Sequence, residues 1–304
     1  MPSNTREIKR RIKSVGNIKQ ITRAMQLVAT SKMKRAQKRS ADADAYAYGA
    51  FEILDHLTKN SEGLRQHPFW REHASSKVGL ILITSDRGFC GGFNVTLLNE
   101  TLQFIKRARA SGEEVEAVTI GKKGRAYMQR IGIPIIADFS VGDYFTIANI
   151  APIAKIATED FQKGIYKSIH IAFNQFINTL IQRPVIRKVL PFDLEMFKTI
   201  AEIDAKAEKF FFKGTGARGA KYIFEPAPER VLGALVPHLI EVEIYKALLE
   251  SGASEHSARM MAMKNSTGKA EELIDEFRLA YNQARQAGIT KEIAEISSGA
   301  VAAL

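Results

Sequence analysis

A chain of 304 residues with 45% hydrophobic and 25% charged side chains has the composition of a soluble folded protein, in one large domain or two modest ones. Its single cysteine, Cys90, and six scattered histidines exclude an internal disulfide and argue against a thiolate-rich or paired-histidine metal site, and no apolar run reaches the ~18 residues of a membrane span. The net charge of +11 is lodged in residues 1–40, where twelve Lys and Arg face one acid, Glu7; such an arm seeks an acidic partner, whether nucleic acid, anionic lipid or an acidic protein surface.

The basic start lacks the apolar core of a secretion signal and runs directly into a helical pattern, so no transit peptide is expected either. Asn4 with Glu7 has capping-box spacing and sets a helix start near Thr5. Ile8, Ile12, Val15, Ile18, Ile21, Met25, Val28 and Met33 recur in steps of three and four, the seam of one long helix over residues 5–58. Gly16 and Gly49 each weaken it by only about 1 kcal/mol. Asn60–Gly63 is its stop.

At Lys77 the period changes. Val78–Ile83 is a continuous apolar run, as in a strand buried on both faces. A loop, Ser85–Asn94, leads into a helix over Val95–Ala110. Strands follow at Val115–Ile120 and Ile133–Phe139, around a short helix, Lys122–Arg130. A helix over Thr146–Gly164 precedes strands at Ser168–Phe176 and Pro184–Leu190. This alternation predicts an α/β domain with a largely parallel, Rossmann-like sheet. Asp193–Tyr222 reads as an insertion carrying a short charged helix and the loop Gly214–Gly219. Pro226 and Pro228 open a final helical region, in which Pro237 should kink and Gly252 bend the chain.

The last 51 residues, Ser254–Leu304, contain no proline. Leu273, Phe277, Ala280, Ala284 and Ala287 step by four and three; after a shift near Gly288, Ile289, Ile293, Ile296, Ala300 and Ala303 repeat the steps. Two long helices with apolar seams at opposite ends of one chain pair most simply with each other, antiparallel. The predicted divisions are residues 1–76 as the N-terminal coiled-coil helix, 77–224 as the α/β domain, and 225–304 as the C-terminal helix pairing with 1–76. Ser297–Leu304 carries no charge, as if made for an apolar sleeve.

Ser85-Asp-Arg-Gly-Phe-Cys-Gly-Gly-Phe-Asn94 is a glycine-rich strand-to-helix turn. Such turns can cradle phosphate, but the Gly-Lys-Ser/Thr ending and the Gly-x-Gly-x-x-Gly pattern are both absent. A tight turn is the simpler reading. Cys90 has no neighbouring histidine to activate it, and Asp86 and Arg87 suit local pairing or a partner. Met25, Met33, Met260, Met261 and Met263 suit core packing or sliding contacts. On residues alone, a nucleic-acid-binding coiled coil and a nucleotide-dependent α/β enzyme stay open beside a structural shaft.

Four stretches resemble one family. Ile18–Met33, the Ser85–Asn94 turn, Glu255–Lys264 and Tyr281–Glu292 are similar, in order, to the signatures of the gamma subunit of F-type ATP synthases. The resemblance implies a central rotor shaft without catalytic residues, cofactor or metal. It implies partners in the alpha and beta subunits, epsilon and the c-subunit ring, no nucleic acid, and membrane contact only through the complex. It places the chain at the cytoplasmic face of a bacterial inner membrane, with acidic loops of the beta subunits as the basic arm's partner. With only Cys90, the cysteine-pair switch of the chloroplast version is excluded. By motif, Met25 matches a methionine near those beta loops. Arg285, Gln286 and Thr290 match contacts of the hexamer's catch region, and Arg259 and Glu292 match further polar positions of the C-terminal signature. Glu225 matches a foot residue near the ring.

Overall fold

The computed structural model describes residues 2–60, 68–142, 145–192 and 227–302. The predicted Asp193–Tyr222 insertion and Glu225 lie outside them. In order, the elements are α1 (Pro2–Asn60), a 3-10 turn (Pro68–Trp70), β1 (Lys77–Ile83), α2 (Phe93–Ala110), β2 (Glu114–Ile120), α3 (Lys122–Arg130), β3 (Ile135–Phe139), α4 (Ile147–Gln162), β4 (Ser168–Phe176), β5 (Gln182–Leu190) and α5 (Pro228–Ala302). They divide into two compact units. One is Met1–Thr30 with Arg259–Leu304; the other is Ser31–Ala258.

In the larger unit the sheet has strand order β3-β2-β1-β4-β5. The first four strands are parallel and β5 returns antiparallel at the edge. Pro184 lies on that edge strand, where its missing N–H costs no internal ladder bond. Val78, Leu80 and Leu82 point to one face, packing with Leu97, Ile105 and Met128 of α2 and α3. Ile81 and Ile83 point to the other, among residues of α4 and of the first part of α5, including Ile153, Phe161, Leu239, Ile240 and Ile244. Both faces of β1 are therefore covered, which is why its sequence is apolar throughout rather than alternating. Phe69 of the 3-10 turn is buried and stacked on Phe161, ring centroids 6.5 Å apart.

Helix α1 starts earlier than its capping box suggests. Pro2 opens it, since proline's absent N–H and fixed φ suit a first helical position; Glu7 pairs instead with Arg11 at 2.6 Å. Helix α5 continues without interruption through Pro237 and Gly252.

The smaller unit is an antiparallel helix pair. Thr22 and Thr267 share a hydrogen bond of 2.8 Å, and Lys19 reaches Glu271 at 3.0 Å. A step back on α1 thus meets a step forward on α5. The seam differs in phase from the one predicted. On α1 the inward line is Ile8, Ile12, Val15, Lys19, Thr22, Gln26 and Ala29, while Ile18, Ile21 and Val28 are 50%, 59% and 55% exposed. On α5 it is Met263, Thr267, Ala270, Ile274, Phe277, Tyr281, Ala284 and Gly288, while Leu273 and Ala287 are exposed. Both observed lines hold the four-three alternation without a stutter. Apolar content misled the prediction, because the true α1 seam is polar in its middle.

Candidate partner-binding surfaces

The Ser85–Asn94 turn closes on itself. Asn94 accepts the Ser85 backbone N–H at 3.1 Å and donates to Ser85 Oγ at 2.7 Å and to Cys90 Sγ at 3.4 Å. Ser85 Oγ donates to the Arg87 carbonyl at 2.8 Å. Cys90 is buried under this network, 2% exposed. Asp86 accepts the Lys122 backbone N–H at 3.0 Å and the Ser140 hydroxyl at 3.2 Å, bracing the turn against the start of α3. The Ser85, Asp86 and Asn94 side chains are thus engaged in holding the turn. Gly91 has φ +56, and Phe89, at φ +62, holds its ring 74% exposed at the turn's apex.

Two clamps in the larger unit involve residues without a sequence signal. Arg187 of β5 forms an ion pair with Glu243 of α5, and its guanidinium lies 5.2 Å from the Phe173 ring centroid. Arg39 of α1 donates to the Phe145 carbonyl and to the Tyr245 hydroxyl at 2.8 Å, and lies near both rings, 5.0 and 5.8 Å from their centroids. A charged side chain in a sequence reads as solvated; only the fold shows that these two are held against aromatic rings.

At the start of the strands, Glu116 accepts from Lys77 at 2.6 Å and from Tyr166 at 2.8 Å. The Lys77 bond holds the Glu116 carboxyl below its ordinary range, and burial followed by that same carboxylate pushes Tyr166 up. His170, against Phe104 at 4.9 Å, is pulled down to about 4 by burial and then by Lys188. Among the described residues no group of three or more His, Cys, Asp or Glu could hold a metal ion, and no helix is long and apolar enough to cross a membrane.

The ATP synthase family profile matches residues 4–303. Over 304 residues the chain is 41% identical to the ATP synthase gamma chain of Roseiflexus castenholzii, and over 301 residues 37% identical to that of Legionella pneumophila strain Corby, each match covering 99% of both chains. The chain belongs to the ATP synthase gamma chain family. Its fold resembles a chain of the Euglena gracilis mitochondrial ATP synthase, OSCP/F1/c-ring in rotational state 3, with TM-score 0.63 and 17% identity, covering 99% of this chain and 95% of that one. It also resembles a chain of the Tetrahymena thermophila mitochondrial ATP synthase central stalk and c-ring, with TM-score 0.57 and 24% identity, covering 81% and 98%.

The gamma-chain motif residues fall into two groups within the smaller unit. Met25 and Arg259 are half-buried on the helix pair. Arg285, Gln286, Thr290 and Glu292 are all exposed, further along α5. The Thr22–Thr267 register sets Met25 at the level of residues 264–266, and sets Arg285 at the level of the first residues of α1, about 20 residues or ~30 Å away. Met25 and the Arg285 turn therefore do not face each other. Beyond residue 288, α5 has passed the start of α1, and Ile289, Ile293 and Ile296 are 49%, 62% and 73% exposed. Of the methionines, Met33 and Met263 are buried, while Met260 and Met261 are half-buried.

Proposed function

We propose that this chain is the central-stalk rotor of an F-type ATP synthase. It couples proton flow through the membrane ring to synthesis or hydrolysis of ATP on the beta subunits by rotation, and is itself non-catalytic. One observation carries the reading: an antiparallel helix pair whose longer member continues alone, apolar side chains outward, past the end of its mate. A lone apolar helix end needs an enclosing surface, and an alpha–beta hexamer supplies one. The fold of the structural relatives, taken from ATP synthase stalk and ring assemblies, supports the same setting.

In this reading the helical parts of residues 1–76 and 225–304 form the shaft, and residues 77–224 form the foot. Alpha and beta subunits surround the shaft; epsilon and the c-ring meet the foot. Met25, Arg259, Arg285, Gln286, Thr290 and Glu292 contact the hexamer, and Glu225 faces the ring. Membrane contact passes through the complex alone, at the cytoplasmic face of the inner membrane. The twelve bases of residues 1–40 meet acidic beta loops.

The test is reconstitution with alpha and beta subunits. ATP turnover is expected only when all three are present, and none from this chain alone. Turnover by the highly purified chain that disappears on changing Gly91 or Gly92 would return the enzyme reading. Tight duplex-DNA binding with a steep salt dependence would favour the nucleic-acid reading.

A further inference from the structure

The α1 helix of the smaller unit carries two parallel lines of side chains, one residue apart. Lys19, Thr22, Gln26 and Ala29 face α5; Ile18, Ile21, Met25 and Val28 do not, and the three branched residues among them are at least half exposed. By burial alone the second line belongs in the seam. A turn of α1 by about 100°, one residue on a helix of 3.6 per turn, would place it there. Something specific holds the polar line inward over this segment.

Ile8, Ile12 and Val15 set the phase toward the helix start and Ala29 beyond Gln26, but between them α1 offers the seam no apolar side chain. The Lys19–Glu271 pair is too exposed, at 41% and 54%, to decide the matter. Thr22 and Thr267 are 8% and 5% exposed, and their hydroxyls lie 2.8 Å apart. Each also reaches a carbonyl on its own helix: Thr22 that of Lys19 at 3.1 Å, Thr267 that of Met263 at 2.8 Å. With one proton per hydroxyl, the chain of bonds runs in one direction at a time. Thr22 donates to Thr267, which donates to Met263, or the order reverses. Either way both oxygens are satisfied without water. Gln26, one turn on, keeps Oε1 sealed from solvent with no partner among the described residues. A polar seam tolerates such a cost only where its satisfied members specify geometry.

We propose that the Thr22–Thr267 hydroxyl pair is the positioning element that fixes the rotational register of α1 against α5. It keeps the Ile18–Ile21–Met25–Val28 line on the outer face, available to a partner. The turned arrangement strips Thr22 of its cross-helix bond and takes Ile8, Ile12, Val15 and Ala29 out of the seam, which together disfavour it although it covers Ile18, Ile21 and Val28. The claim concerns this chain alone and does not depend on the rotor reading.

Disulfide trapping in the full-length chain tests it; the native Cys90 is buried and gives a silent background. One cysteine pair, Lys19→Cys with Glu271→Cys, reports the observed register. A second, Ile18→Cys with Glu271→Cys, reports the turned one. With both threonines present the first pair should close and the second should not. In a Thr22→Val, Thr267→Val background the turned-to-observed ratio should rise about five- to tenfold, the weight of one net hydrogen bond. A Thr22→Ser, Thr267→Ser background, which keeps the hydroxyls, should hold the original ratio. An unchanged ratio in the valine background, or an equal rise in the serine one, overturns the proposal, because either result makes the pair a matter of packing. If the double valine chain does not accumulate, Thr22→Val alone serves. It leaves Thr267 bonded to Met263, and the same ratio is read.

Discussion

Glu243, with a side chain 5% exposed, meets Arg187, 15% exposed, so that a helix of the C-terminal region and the antiparallel edge strand share one enclosed ion pair. The Phe173 ring covers the guanidinium from the sheet side. Removing one partner leaves the other charge enclosed. Arg187→Met should therefore lower stability by about 3–5 kcal/mol, and adding Glu243→Leu should recover most of the loss. Denaturant unfolding of the single and double variants reads this directly. Equal losses in both would mean that the pair matters for shape rather than charge.

Gly121 has φ +99, and a Cβ there would stand 2.1 Å from the Thr84 carbonyl oxygen. Backbone cannot yield as a flexible side chain can. Gly121→Ala should cost roughly 3 kcal/mol or more, through strain and the collision together. Gly112→Ala, also at positive φ but with nothing within 4 Å of the added Cβ, should cost distinctly less. Thermal unfolding of the two variants side by side isolates the collision.

His170 gives a pH dependence of known sign. Its folded value, about 4, lies below the ordinary 6.5, so the unfolded chain binds the proton more readily. Stability is fully present above pH 6.5 and falls as pH drops from 6.5 toward 4, by on the order of 2–3 kcal/mol. Glu116, lowered from 4.5 by Lys77, acts in a separate window below that value. His170→Gln should flatten the unfolding midpoint between pH 4 and 6.5 without changing its slope below 4. A parallel shift across all pH values would assign His170 to packing alone.

The helix register makes a positional forecast. A cysteine at Gln26, on the inward line, should crosslink to one at Met263 and not to one at Arg285. Closure with Arg285 in the full-length chain would require a different pairing from the one described.

Met25→Lys should impair coupling more than assembly. In the rotor reading Met25 slides past acidic beta loops, and a new charge pair worth ~1–2 kcal/mol net would deepen one angular state. Each ~1.4 kcal/mol added to a barrier slows a step about tenfold. ATP synthesis and ATP-driven proton pumping in vesicles, normalised to assembled complex, are the measurements. Normal synthesis with a normal pumping-to-hydrolysis ratio would leave Met25 as a packing residue.

The sheet was legible because burial on both faces writes unbroken apolar runs, as in Val78–Ile83, separated by helical spacing. The long helices were legible by length and by the scarcity of proline. The phase of their seam was not. Ile18 and Ile21 look inward by composition, whereas Thr22 and Lys19 are inward by geometry, and only a partner 245 residues away reveals it. The same holds for Arg39, Arg187 and Glu243. Charge alone cannot announce enclosure, since the enclosing groups lie on other elements.

That separation of 245 residues also sets a timetable. Helix α1 is made before α5. At about 5–20 residues per second, Thr22 is synthesised some 12–50 seconds before Thr267. An apolar seam would spend that interval as a template for aggregation. A seam centred on Lys19, Thr22 and Gln26, on an arm that carries twelve bases and one acid in its first forty residues, stays hydrated and self-repelling while it waits. The arm's charge thus keeps apart nascent chains whose apolar line, Ile18, Ile21, Met25 and Val28, is still uncovered, before the polar layer positions the finished pair.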